Sequence, residues 1–88
     1  MNGGLAANEA LVRGLLAGLA SAPSCDIAVA VPAPYLAQVQ ALTAGSPIAL
    51  ASQDVAAHAS GAYTGESAAG MLKEFDVCYA LVGHSERR

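Results

Sequence analysis

Three short apolar runs, Ile27 to Val31, Ile48 to Ala51 and Val77 to Val82, alternate with segments of helical spacing, and this alternation constrains the chain most. Runs of four to eight apolar residues bounded by turn residues read as strands buried on both faces. Leu5 to Ala20 carries Leu11, Leu15 and Leu19 at helical spacing, with Val12 and Leu16 on adjacent rows. Asn8 followed by Glu9 suits a helix start, because Asn caps helices and an acid favours the first turn. The stretch Ser21-Ala22-Pro23-Ser24 reads as the stop, since proline cannot continue a helix. Helical spacing returns through Leu36, Val39 and Leu42 within Ala33 to Ala44, where Pro34 fits the first turn. Glu66 to Phe75 reads as a third helix, weakened by Gly70 by about 1 kcal/mol relative to Ala. The expected order is α-β-α-β-α-β. Strands separated by helices pair in parallel, so the fold class is α/β.

That pattern opens on a helix where a strand is expected and closes just past a strand that needs a neighbour. It reads as a piece of a larger α/β protein rather than a complete domain. With 55% hydrophobic and 12% charged residues, disorder is excluded. Seven acids stand against four bases, and the only adjacent bases are Arg87-Arg88, so nucleic acid is not an expected partner. The longest uncharged stretch, Ile27 to Gln53, is broken by Pro32, Pro34 and Pro47. A span requires roughly 20 predominantly apolar residues, so no membrane partner is expected either. Met1-Asn2-Gly3-Gly4 lacks the basic start of a secretion signal. Cys25 and Cys78 each open an apolar run and read as buried or half-buried thiols in a reducing compartment, with cytosol as the location and no metal site.

In parallel α/β proteins, chemistry sits beyond the C-terminal ends of strands. Three places qualify: Pro32-Ala33-Pro34, the long polar loop Gln53 to Gly65, and Gly83-His84-Ser85-Glu86. Only the last is dense in reactive groups. His84 suits proton transfer or polarisation of a carbonyl, or equally a loop cap. Ser85 reads as a helix cap or loop hydroxyl, not a nucleophile, because no acid is placed to orient the histidine. Glu86 is open between base, ion-pair partner and first-turn acid. Arg87 and Arg88 are open to binding an anion, but a solvated charge pair is the commoner reading. Thr64 reads as a cap for the helix after it, and His58 as a surface residue. A loop as long as Gln53 to Gly65 is functional or an interface. No phosphate loop of Walker or dinucleotide type is present.

The stretch Val82-Gly83-His84-Ser85-Glu86-Arg87-Arg88 resembles the fourth strand and following loop of triosephosphate isomerases. Gln53-Asp54-Val55 with Gly61-Ala62-Tyr63-Thr64-Gly65-Glu66 resembles their third loop. Met1-Asn2-Gly3 is similar to the end of their Asn-Trp-Lys-Met-Asn-Gly segment, and Val31-Pro32-Ala33-Pro34-Tyr35-Leu36 to their second strand end. The resemblance runs along all 88 residues. It implies part of a (β/α)₈ TIM barrel, residues 1–88 being a partial domain with three parallel strands. It implies a cofactor-free isomerase of triose phosphates, dimeric and cytoplasmic. The family works with a glutamate base, a neutral histidine electrophile and a closing loop, a general description that belongs to the family itself.

Carried over residue by residue, the resemblance makes His84 the electrophile and Ser85 and Glu86 its supporting loop. Gln53, Tyr63, Thr64, Gly65, Glu66 and Arg87 belong to the loop that reaches the partner subunit. Thr64 stands at the tip of that loop, Gln53 at its base, and Glu66 with Arg87 as an ion-pair clamp. Ser52 stands where the family has a smaller residue. The family's phosphate-side Asn and Lys would precede Met1, and its base, closing loop and phosphate-binding glycines would follow Arg88. These 88 residues alone are therefore expected to be inactive. Two other readings are carried: an assembly piece that docks through the Gln53 to Gly65 loop, and a piece of another sugar-phosphate α/β enzyme.

Overall fold

A computed structural model describes residues 1–19 and 24–88. The elements run α1 (Leu5–Gly18), β1 (Ile27–Val31), a 3₁₀ turn (Ala33–Tyr35), α2 (Leu36–Thr43), β2 (Ile48–Ser52), α3 (Ala69–Lys73), β3 (Val77–Ala80) and a closing 3₁₀ turn (Ser85–Arg87). The strands form one parallel sheet in the order β1-β2-β3, with Ile27 opposite Ile48 and Leu50 opposite Val77. The alternation of apolar runs and helices thus delivers the expected α/β order.

The core lies between the helices and one face of the sheet. Val12 of α1, Leu36 and Val39 of α2, Leu50 of β2 and Leu72 of α3 are buried together, with Val29, Val31 and Val77 packed against them. Side chains alternate between faces along a strand. The register therefore puts Ala28, Ala30, Ala49, Ala51 and Tyr79 on the opposite face. Burial on both faces holds only for the central strand β2. β1 is half-covered and β3 is mostly exposed, because each has a strand on one side only among the described residues.

Several boundaries differ from expectation for local reasons. α1 starts after Gly4, not at Asn8; Asn8 sits a turn inside, and its Oδ1 accepts the Gly4 N–H at 3.3 Å. The inward row of α1 is Val12 and Leu16, while Leu11 and Leu15 are exposed, because α1 meets α2 through the former row. Position 20 of the expected helix and positions 21–23 of the expected stop lie outside the described residues. Pro34 does sit in the opening turn before α2, but that turn is 3₁₀. The third helix is Ala69–Lys73 only, far shorter than Glu66 to Phe75. Its start is delayed by a turn in which the Glu66 N–H donates to the Tyr63 C=O at 3.0 Å. Gly65 takes φ 91° at the third position of this turn, a conformation that glycine adopts at no steric cost. Thr64 is the second residue of the turn and caps no helix.

Both cysteines are exposed, not buried. Cys25 precedes β1. Cys78 is the extra residue of a bulge: Leu50 pairs with Val77 and Ala51 with Tyr79, leaving Cys78 without a partner. At the start of β3, Asp76 holds φ 60° and accepts the Gln40 side-chain N–H at 2.8 Å, which ties α2 to that turn.

Ser52 closes β2 almost fully buried, and its Oγ has no hydrogen-bond partner. Burying an unpartnered hydroxyl costs about 1–3 kcal/mol, so Ser52→Ala in the full-length protein is expected to raise stability by about 1 kcal/mol. Urea unfolding of the two proteins checks this; a less stable Ala variant would show that Ser52 has a partner in the longer chain.

Candidate active site

The three strands end together, and the residues after each end converge on one pocket of about 450 Å³. Pro32 and Pro34 reach it from β1, Ser52, Gln53 and Asp54 from β2, and Leu81 and His84 from β3, while Met1 joins from the other end of the chain. Parallel pairing brings this about, because it sends every C-terminal strand end to the same side of the sheet. Two hydrogen bonds continue the alignment past the strands. The Gln53 side chain donates to the Ala30 C=O at 3.1 Å, and the Leu81 N–H donates to the Ser52 C=O at 3.0 Å.

His84 enters the site after the chain turns at Gly83 (φ 70°). It caps the final 3₁₀ turn: the Glu86 N–H donates to His84 Nδ1 at 3.1 Å. The cap is thus His84 rather than Ser85, which is the first residue inside the turn. Because Nδ1 accepts, its lone pair is in use, and the proton of the neutral ring resides on Nε2. In this tautomer Nε2–H is the ring's free donor.

Arg87 pairs with Asp54, its guanidinium 3.0 Å from Oδ2, and not with Glu66 as the resemblance implied. Asp54 follows the end of β2 and Arg87 follows the end of the neighbouring β3, so the two meet above the sheet. Glu66 lies beyond the turn at Tyr63. Both side chains of the Asp54–Arg87 pair are about half exposed or more, which makes it an orienting contact of small energetic weight. Asp54 is the site residue that reading by motif missed as a partner. The signal was available in the strand-end position it shares with the His84 loop.

The long loop is ordered by its own contacts. The Ala56 N–H donates to the Ser67 C=O at 2.9 Å and closes its stem. Above this, the His58 and Tyr63 rings stack at 4.2 Å with their planes 6° apart. Tyr63, Thr64, Gly65 and Glu66 are all exposed there. Of the residues assigned to this loop, only Gln53 and Gly65, with Arg87 from the next strand end, line the pocket beside His84 and Glu86. Among the described residues, no group of three or more His, Cys, Asp and Glu side chains could hold a metal ion.

The family model for triosephosphate isomerase matches residues 1–88. The chain belongs to the triosephosphate isomerase family. Among relatives named triosephosphate isomerase, it is 62% identical to that of Paracidovorax citrulli over 90 aligned residues and 60% identical to that of Delftia acidovorans. It is 58% identical to that of Albidiferax ferrireducens. All of this chain is covered in each case, but it spans only about 36% of the length of the first two relatives. Within this isomerase family, three parallel strands alternating with helices are part of a (β/α)₈ barrel. No helix among the described residues is long and apolar enough to cross a membrane.

Proposed function

We propose that these 88 residues form the N-terminal region of a triosephosphate isomerase that interconverts dihydroxyacetone phosphate and glyceraldehyde 3-phosphate, with His84 as its electrophile. The observation that carries this is the 3.1 Å bond from the Glu86 N–H to His84 Nδ1. It leaves Nε2–H as the free donor of the ring in a pocket at the strand ends. When a proton leaves the carbon beside a carbonyl, negative charge grows on the carbonyl oxygen. A donor already aimed at that oxygen stabilises the charge without reorganising. The resemblance places the glutamate base that takes the carbon proton beyond Arg88, and the lysine on the phosphate side before Met1.

The remaining assignments follow from this reading. Ser85 and Glu86 support His84 through the 3₁₀ turn. Gln53, Tyr63, Thr64, Gly65 and Glu66 shape the loop that meets the partner subunit of a homodimer, and the His58–Tyr63 stack supports its order. Asp54 joins Arg87 in bracing that loop against the His84 turn. The enzyme works without a cofactor, in the cytoplasm.

The test is an isomerase assay on the full-length protein without added cofactor, alongside the 88-residue chain. Turnover of dihydroxyacetone phosphate is expected for the full-length protein and none above background for the 88-mer. A full-length protein that turns over neither triose phosphate would defeat the assignment.

A further inference from the structure

The tip of the long loop is folded around one side chain, that of Tyr63. Its ring stacks on His58, with centroids 4.2 Å apart and planes 6° apart. The same ring lies against the backbone of Gly61. A Cβ there would stand 3.2 Å from Tyr63 Cε2, at a φ of 124° that side chains rarely adopt. The backbone of Tyr63 closes the turns before and after it. Its N–H donates to the Gly61 C=O at 2.9 Å, and its C=O accepts the Glu66 N–H at 3.0 Å. His58 is on the outgoing limb of the loop and Tyr63 on the returning limb, so the stack crosses the loop and fixes one limb against the other. Thr64 follows Tyr63 directly, and its place is set by this arrangement.

The surface so presented has the chemistry of a protein contact. No Asp, Glu, Lys or Arg occurs between Asp54 and Glu66, and apart from His58 and Tyr63 no side chain there is larger than valine. Few charges would need to be desolvated on burial. Interface centres are poor in charge and rich in tyrosine, which supplies contact area at low cost in side-chain entropy. A loop that must order itself on association subtracts that cost from affinity, and a loop already ordered does not. We propose that His58 is a positioning residue that holds Tyr63 and the Thr64 tip ready for a second copy of this chain, so that the loop is folded before the two copies meet. This rests on the reading of the loop as the homodimer contact.

The experiment uses the full-length protein, the variants His58→Ala, His58→Phe and Gly61→Ala, and sedimentation over a dilution series. A stacked aromatic pair contributes enough to change an equilibrium by roughly two- to tenfold, so His58→Ala is expected to raise the dimer Kd by that factor. Gly61→Ala presses a methyl group on the Tyr63 ring and should raise it at least as much. His58→Phe keeps the stack and discards the imidazole nitrogens, so it should dimerise within twofold of wild type. The Tyr63 ring protons report the stack separately: their ring-current shift should be present in wild type and His58→Phe and absent in His58→Ala. A His58→Phe dimer as weak as the alanine variant would mean that the imidazole touches the partner itself, which overturns the positioning role. Wild-type Kd in both His58→Ala and Gly61→Ala overturns it as well, while leaving the homodimer reading intact. A wild-type protein that stays monomeric at every concentration defeats the homodimer reading and the proposal with it.

Discussion

His84→Asn in the full-length protein is expected to lower kcat for the proposed isomerisation by roughly 10²–10³, the usual loss when one donor to a developing oxyanion is removed, with little change in melting temperature. The choice of asparagine separates the capping seen in the structure from the electrophilic role proposed for the ring. As a cap, His84 accepts the Glu86 N–H through Nδ1. Asparagine is among the best capping residues, and its Oδ1 can accept the same N–H, so the 3₁₀ turn over Ser85–Arg87 should persist. In the proposed role as electrophile, His84 would offer Nε2–H from the far side of the ring. Asparagine is too short to present a donor there. His84→Ala removes both functions, so it should lose the activity and also about 1 kcal/mol of capping stability. Steady-state kinetics and thermal melts of the three proteins decide the matter. An asparagine variant within tenfold of the parent would mean that capping, not donation, is what His84 contributes.

The same division explains what could be read from the sequence. The strands were legible because short apolar runs bounded by Asp26, Pro47 and Asp76 leave few alternatives, and α2 because Leu36 and Val39 fall on one face that is buried. The facing of α1 was not legible, because the Leu11-Leu15 row and the Val12-Leu16 row are equally apolar. Only the approach of α2 chooses between them. Cys78 misled for a related reason: a bulge is a property of two strands, and the run Val77 to Val82 contains no sign of one. The position of His84 beyond a strand end followed from parallel topology. Its tautomer did not, since that depends on a backbone N–H two residues away curling back over the ring. The partner of Arg87 turned on which carboxylate shares its end of the sheet, and motif matching favoured Glu66 over the nearer Asp54.

Expressed alone, the 88-residue chain is expected to associate rather than melt as a cooperative monomer. Among the described residues, β1 and β3 are both edge strands, and parallel sheets are normally covered on both faces. Here the helices cover one face, and on the other Ala51 is buried but Ala28 is exposed and Tyr79 is 57% exposed. Beyond β3, Leu81 and Val82 are 47% and 77% exposed, so an apolar segment continues past an unpaired edge. Unpaired backbone groups beside apolar side chains are a template for another strand. The apolar surface that a chain of this length can bury is also small beside the conformational entropy it must overcome. Light scattering should therefore rise with concentration in the tens of micromolar, and the thermal transition should be broad and concentration-dependent. Val82→Lys places a charge next to the edge of β3 and should suppress the association without restoring a sharp melt, because it blocks pairing but adds no core. A monomer with a sharp, concentration-independent transition would show that the cluster around Val39 suffices by itself, and that the exposed inner face costs the isolated chain less than its chemistry suggests.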